Sequence, residues 1–254
     1  MSGAEANRDE VIAALLKAYE VNRDTVALFR DQLMVALESS SELQANVHSM
    51  KTRLKHPDHL THKLARKIED CERAGKPFDI TPENLLVEIN DLAGVRILHL
   101  YTRQVQQIDS ALRSILSEQQ YELIEGPFAR TWDDESRAFF RSCGIETQES
   151  PTMYTSVHYV ISSASRTTVT CEIQVRTLME EVWGEVDHTL NYPVPTDVLS
   201  SREQLKVLAR VTSSATRLVD SIFLTHAPPD TPPPEGTPAD GAPAIELPRG
   251  GSVA

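Results

Sequence analysis

The chain has 254 residues, 40% of them apolar, which fits one catalytic-sized domain with extensions or two small ones. Its formal net charge of −12 argues against broad, non-specific nucleic-acid binding, and no apolar run approaches the roughly 18 residues a membrane span needs. The opening MSGAEANRDE has no basic stretch leading into an apolar segment, so no secretory signal is expected. Three scattered cysteines, Cys71, Cys143 and Cys171, fit a reducing cytoplasm better than a disulfide framework or a zinc ribbon.

In chain order, residues 7–43 carry apolar side chains at three-to-four spacing, which predicts helix. Residues 47–55 read as extended, with Lys51, Arg53 and Lys55 alternating onto one face. Pro57 and Asp58 open a helix on which His59, Lys63 and Lys67 form one stripe. Lys51, Arg53, Lys55, Lys63, Arg66 and Lys67 together make a basic island in an acidic chain, as an anion pocket requires. Thr81-Pro82-Glu83 reads as a further helix start, and residues 89–101 bend at Asp91 and Gly94 into an apolar strand. A helix over about 105–119 follows, then a strand over 121–125. The polar segment 132–148 is the least readable, with a helix suggested around residues 137–140. Strands at 154–162 and 168–176 form a hairpin, followed by helices at about 177–190 and 200–226. The last helix carries Leu205, Leu208, Val211, Ala215, Leu218 and Ile222, a pattern suited to packing on the domain or on a partner. The final 28 residues hold 8 of the 15 prolines and almost no large apolar side chains, which predicts a disordered tail. The expected division is thus a helical segment 1–45, a main domain 46–195, a C-terminal helix 196–226 and a tail 227–254.

Two strands carry polar rows. At period two, Glu172, Gln174 and Arg176 share one face, and Tyr154, Ser156 and His158 line another. A solvated face is the bland reading, yet this mixture is richer than solubility needs and suits a phosphate-bearing ligand. Asp91 alone is an ordinary turn aspartate and Glu172 alone an ordinary surface acid. Two acids on one sheet could share Mg²⁺, which takes few carboxylates plus water and substrate phosphates. With a basic stripe nearby, that is equipment for phosphoryl or nucleotidyl transfer. Neither GxxxxGK[ST] nor GxGxxG occurs, so Arg and Lys side chains would have to hold phosphates. His56, His59 and His62 have metal-like spacing, but no Cys or further carboxylate beyond Asp58 completes a set. Trp183 and His188, taken singly, read as core and cap residues.

Taken together, these segments resemble the synthetase domain of the RelA/SpoT family, from about residue 47 to 192. Asp91-Leu92-Ala93-Gly94-Val95-Arg96 resembles D-[LI]-x-G-x-R, and Tyr154-Thr155-Ser156-Val157-His158 resembles Y-x-S-x-H. Glu172-Ile173-Gln174-Val175-Arg176-Thr177 with Trp183 and His188 resembles EIQ[IV]RT-x5-W-x4-H. Arg53 and Lys55 with Lys63 and Arg66 resemble R-x-K-x3-S-x3-K-x2-R. The resemblance implies an α+β fold, a nucleotidyltransferase-like mixed β-sheet flanked by helices. It implies a Mg²⁺-dependent GTP pyrophosphokinase that moves the pyrophosphate of ATP to the 3′-hydroxyl of GDP or GTP, making the stringent-response alarmones ppGpp and pppGpp. In that reading Arg53 stacks on adenine, while Lys55, Lys63, Arg66 and Arg96 hold the ATP phosphates beside His59. Asp91 and Glu172 bind the metal, and Glu172 helps deprotonate the attacking hydroxyl. Tyr154 stacks on the acceptor base, with His158, Gln174, Arg176 and His188 around the acceptor.

The sequence departs from the pattern in three places. His59 stands for Ser, Met153 stands for Gly before the tyrosine, and the lysine-bearing KDY…PK stretch is replaced by residues 141–151. Those lysines are assigned to the acceptor's 5′-phosphates, so Arg130, Arg137 and Arg141 are candidate substitutes. Pyrophosphorylation of the tRNA 3′ end, as in toxic small relatives, and a non-catalytic nucleotide-binding module stay open. Small members of that family form homo-oligomers, and the same is an expectation here; no membrane partner is expected.

Overall fold

The computed structural model describes residues 3–192 and 194–226, and the expected tail at 227–254 lies outside them. Eight helices and six strands follow in this order among the described residues: α1 (Gly3–Ser39), α2 (Ser41–Gln44), β1 (Ser49–Leu54), α3 (Pro57–Arg73), α4 (Leu85–Glu88), β2 (Ala93–His99), α5 (Gln104–Glu118), β3 (Glu122–Thr131), α6 (Asp134–Ser142), β4 (Glu146–Glu149), β5 (Ser156–Ser162), β6 (Thr170–Thr177), α7 (Leu178–Asn191) and α8 (Leu199–His226). The strands form one sheet in the order β1-β2-β6-β5-β3-β4. Strands β2/β6 and β3/β4 are parallel and the other neighbours antiparallel, so the sheet is mixed.

One sheet face is the core. Val95, Ile97, Val157, Tyr159, Ile161, Ile173 and Val175 are all buried there, in one cluster with Leu15, Tyr19, Val26, Phe29 and Leu33 of α1 and Ile108 and Leu112 of α5. The N-terminal helix therefore belongs to the same core as the sheet. A polar tether fixes its pose, the Tyr19 hydroxyl donating to the Lys55 carbonyl at 2.7 Å, and a second ties α5 to the sheet, Tyr159 of β5 donating to Asp109 at 3.0 Å. Helix α3 packs its Leu60, Leu64 and Ile68 stripe into the same cluster, leaving its basic stripe free to turn toward the sheet's end.

The polar rows read from the sequence lie on the opposite face, and pairing extends them across five strands. One row runs Ser49–Leu98–Arg176–Ser156–Arg130, the next Lys51–Arg96–Gln174–His158–Phe128, and the third Arg53–Gly94–Glu172–Val160–Glu125. Helices α7 and α8 cover the first row: Trp183 is buried and donates to the Leu205 carbonyl at 3.1 Å.

Several local expectations needed correction. The first helix breaks at Ser40, whose side chain caps α2, so residues 7–43 are two helices. After Thr81 only the single turn of α4 forms. Strand β3 continues past residue 125 to Thr131 through two register shifts around Gly126-Pro127. A short edge strand, β4, lies in the segment read as polar and unassigned. The hairpin's regular pairing starts at Ser156 and resumes at Thr170, leaving Tyr154 just ahead of its strand.

Candidate functional site

Asp91 sits in the turn between α4 and β2, and the fold brings two cations to it. Lys63 of α3 donates to Asp91 Oδ1 at 2.7 Å and Lys55, just past β1, to Oδ2 at 2.5 Å. Burial works to raise the Asp91 carboxyl, but the two ammonium groups overcome it and hold it at about 2. Burial lowers Lys55 despite Asp91 beside it. Asp91 in the folded chain is thus depressed from its ordinary 3.8. Its ion pairs contribute stability above pH 3.8 that is lost as pH falls toward about 2, a term of about 2 kcal/mol. Acid unfolding followed by circular dichroism should show wild type losing more stability than Asp91→Asn between pH 4 and 2.

Glu172 lies on the polar face of β6, next to Gly94 of β2. It accepts hydrogen bonds from His158 Nδ1 and Gln174 Nε2, both at 2.9 Å. Burial raises the carboxyl, yet the His158 contact outweighs it and Glu172 ends below the usual glutamate range. With Nδ1 donating to Glu172, His158 Nε2 is a buried atom with no partner among the described residues. Arg53 reaches across β2 toward the same carboxylate, and Gly94 is what permits it: a Cβ there would stand 3.3 Å from Arg53 Nε. Two adjoining pockets, of about 140 and 270 Å³, share Arg53 and Arg96 as lining residues. The first also takes in Glu172 and Gln174, the second Lys55, His59 and His188.

Acids that sequence reasoning passed over hold the cations of this face. Arg96 donates to Glu181 at 3.0 Å and to Glu185 at 2.6 Å, Lys51 pairs with Glu181 at 3.0 Å, and Arg176 pairs with Glu181 as well. In sequence, Glu180 and Glu181 read as an ordinary acidic first turn of a helix. Their inward direction is fixed only by the packing of α7 on β6.

Not all the candidates meet. Arg53, Lys55, His59, Lys63, Asp91, Arg96, Glu172, Gln174, His158 and His188 gather around the two pockets and the carboxylates. Arg66 is exposed on α3 and makes no ion pair among the described residues. Tyr154 and Arg176 lie one row away, tucked under α7: Arg176 donates to the Tyr154 hydroxyl at 3.2 Å and sits 5.5 Å from its ring centre. His188 stacks on Tyr192 at 4.7 Å, and His59 meets the same ring edge-on. Among the described residues no three His, Cys, Asp or Glu side chains cluster as a metal cage, so His56, His59 and His62 form no such site. Two carboxylates do fit Mg²⁺, which draws its remaining ligands from water and phosphate.

Comparison with known proteins bears on the family and the fold. A family model described as the region found in RelA/SpoT proteins matches residues 52–197. The chain is 25% identical over 171 residues to the GTP pyrophosphokinase YwaC of Bacillus subtilis strain 168, covering 65% of this chain and 68% of that protein. The fold is shared with the small alarmone synthetase 1 of Bacillus subtilis bound to its product pppGpp, at TM-score 0.53 and 18% identity over 80% of this chain and 93% of that one. It is also shared with a GTP pyrophosphokinase family protein from Streptococcus pneumoniae, at TM-score 0.50 and 18% identity over 89% and 95% of the two chains. With the family region spanning more than half of its length, this chain belongs to the RelA/SpoT family.

Proposed function

We propose that this protein transfers the pyrophosphate of ATP to the ribose 3′-hydroxyl of GDP or GTP, making ppGpp or pppGpp. The observation that carries the reading is the end of the polar sheet face, where Asp91 in the turn before β2 meets Lys55 and Lys63, and Glu172 on β6 lies near Arg53 and Arg96. In the reaction the 3′-oxygen bonds to the β-phosphorus of ATP, the bond from that phosphorus to the α,β-bridging oxygen breaks, and AMP leaves. Glu172, ionised at neutral pH, takes the hydroxyl proton. Lysines 55 and 63, with Arg53 and Arg96, neutralise the triphosphate and hold it in line. Asp91 and Glu172 would hold Mg²⁺, which when bound supplies charge neutralisation at the bridging oxygens. We assign this chemistry to residues 46–195, with the segments on either side as supports.

For the acceptor's 5′-phosphates, one of the three candidate arginines has the right place. Arg137 is committed to Asp134 and Arg141 donates to Thr147 at 3.0 Å. Arg130 stands on the polar face opposite Ser156, its guanidinium 5.4 Å from the Phe128 ring that stacks on His158. We assign Arg130 to those phosphates. The net charge of −12 favours a nucleotide over a polyanion such as tRNA. The deciding assay offers β-labelled ATP and Mg²⁺ with GDP, GTP, GMP and deacylated tRNA in separate reactions. Label in guanosine nucleotide supports the reading; label only in tRNA, or in nothing, overturns it.

We place the protein in the cytoplasm, where its three free cysteines stay reduced; no described helix is long and apolar enough to cross a membrane. We also infer a homo-oligomer joined through α8. Leu205 and Ala209 are buried on its inner side, whereas Val207, Val211, Leu218 and Ile222 are each more than half exposed along the outer side. Spacings of four and seven give a seam that a second copy of the helix fits. Leu218→Glu should lower the mass measured by light scattering to that of a smaller assembly, leaving the circular dichroism spectrum unchanged.

A further inference from the structure

We propose that Glu180 is a positioning residue for the acceptor nucleotide, setting Tyr154 in place from behind through the backbone of Thr155. This rests on the pyrophosphate-transfer reading, in which Tyr154 faces the acceptor base.

Thr177 caps α7, its hydroxyl accepting from the Glu180 N–H at 3.2 Å. In a T-x-x-E capping box the glutamate carboxylate would fold back onto the threonine N–H. Here Glu180 reaches instead across the gap to the strand entry, where Oε2 accepts from the Thr155 N–H at 3.2 Å. That bond joins the rigid first turn of α7 to the irregular segment that carries Tyr154. The segment has few other anchors. Ser150 Oγ accepts from the Tyr154 N–H at 3.1 Å, and the Thr155 and Thr131 hydroxyls are 3.1 Å apart. On the ring side, Arg176 holds the Tyr154 hydroxyl and is itself held by Glu181. Consecutive glutamates of one helical turn thus grip Tyr154 at both ends, Glu180 on the main chain and Glu181 through Arg176. Gly184, one turn on, leaves room for that arginine: a Cβ there would stand 2.7 Å from its Nη1.

Glu180 is 5% exposed and makes no ion pair among the described residues. It borders a largely apolar cavity of about 30 Å³, lined by Val105, Phe140 and Val175, into which Thr155, Ser156, Ser213 and Thr216 bring polar groups. The Ser156 and Thr216 hydroxyls there are buried without partners among the described residues. Burial raises the Glu180 carboxyl to about 7, against the Thr155 hydrogen bond and the Arg176 charge. The charged groups around it are Arg176 on β6, Asp133 before α6, and Arg217 on α8, which is paired to Asp133; His99 on β2, also bordering the cavity, is held neutral by burial at about 4. Ionised Glu180 grips the Thr155 N–H more firmly than the neutral acid does. Acceptor binding should therefore tighten as pH rises through 7, with ATP binding indifferent to the change.

The test compares wild type, Glu180→Ala and Glu180→Gln in steady-state transfer and in calorimetric binding of GDP, between pH 6 and 8. For Glu180→Ala we expect the GDP KM and Kd to rise about tenfold, with the ATP KM within twofold of wild type. Glu180→Gln, which keeps an acceptor for the Thr155 N–H, should recover most of that loss. It should also lack the part of the pH dependence of GDP binding that wild type shows near 7. If alanine weakens ATP and GDP alike, or lowers only the thermal midpoint, the carboxylate is merely structural and the proposal fails. Wild-type protein that transfers to GDP while all three proteins bind GDP equally overturns it alone. Wild-type protein that neither binds GDP nor pyrophosphorylates it overturns the acceptor reading and this proposal together.

Discussion

Asp91→Ala should leave no measurable pyrophosphate transfer, a loss of at least about 10³-fold, because it removes a carboxylate we assign to the metal in a reaction that is mostly charge neutralisation. Its effect on the protein without nucleotide is equally specific. Lys55 and Lys63 are only 12% and 22% exposed and both converge on Asp91. Without it two half-buried ammonium groups face each other, and the folded state should lose about 2–3 kcal/mol. Calorimetry should register that as a lower thermal midpoint. ATP should restore a larger share of stability to the variant than it adds to wild type, since its phosphates supply the missing anions. A variant as stable as wild type would mean that the lysines are not held by Asp91 in solution.

Glu172→Gln should behave differently. Glutamine keeps an acceptor for His158 Nδ1 and fills the same volume between Arg53 and Gln174, so the thermal midpoint should stay within about 2 °C. Transfer should nonetheless fall by about 10³-fold in kcat, as expected for removing a proton acceptor from the attacking hydroxyl. The KM for ATP should change less than kcat, because the cations we assign to the triphosphate are untouched and Asp91 remains for the metal. A loss confined to KM would assign Glu172 to binding and leave the proton with another group. The contrast between the variants, one unstable and inactive, the other stable and inactive, separates the electrostatic from the chemical role.

The central strands were legible because their alternation or apolar runs are local signals. Ile173 and Val175 against Glu172 and Gln174 announce β6, and 93–99 reads as a buried strand. Strand β4, Glu146-Thr147-Gln148-Glu149, has no apolar residue at all; it exists because β3 offers it an edge. The far half of β3 was hidden by Gly126-Pro127, a pair that normally ends a strand but here sits in a bulge. For the site, motif spacing found Asp91, Glu172 and the cations of β1 and α3, since each lies in a short contiguous pattern. It could not find Glu180, Glu181 or Glu185. Three glutamates on an amphipathic helix look like solvent-facing charge; only the docking of α7 buries Glu180 and Glu181 and brings the still exposed Glu185 to Arg96.

The pairing of Asp91 with two lysines and of Glu181 with two arginines also bears on selectivity. An open cleft lined by naked cations would act as a sponge for inorganic phosphate, citrate and any passing polyanion. Here Lys55, Lys63 and Arg96 already have resident competitors, so a simple anion gains little by displacing them. ATP bound with a divalent ion would offer an exchange on both sides, since in the proposed reading Lys55 and Lys63 would hold the triphosphate and Asp91 the metal. Discrimination against lone anions is therefore built into the ion pairs of the cleft, before any contact with the base.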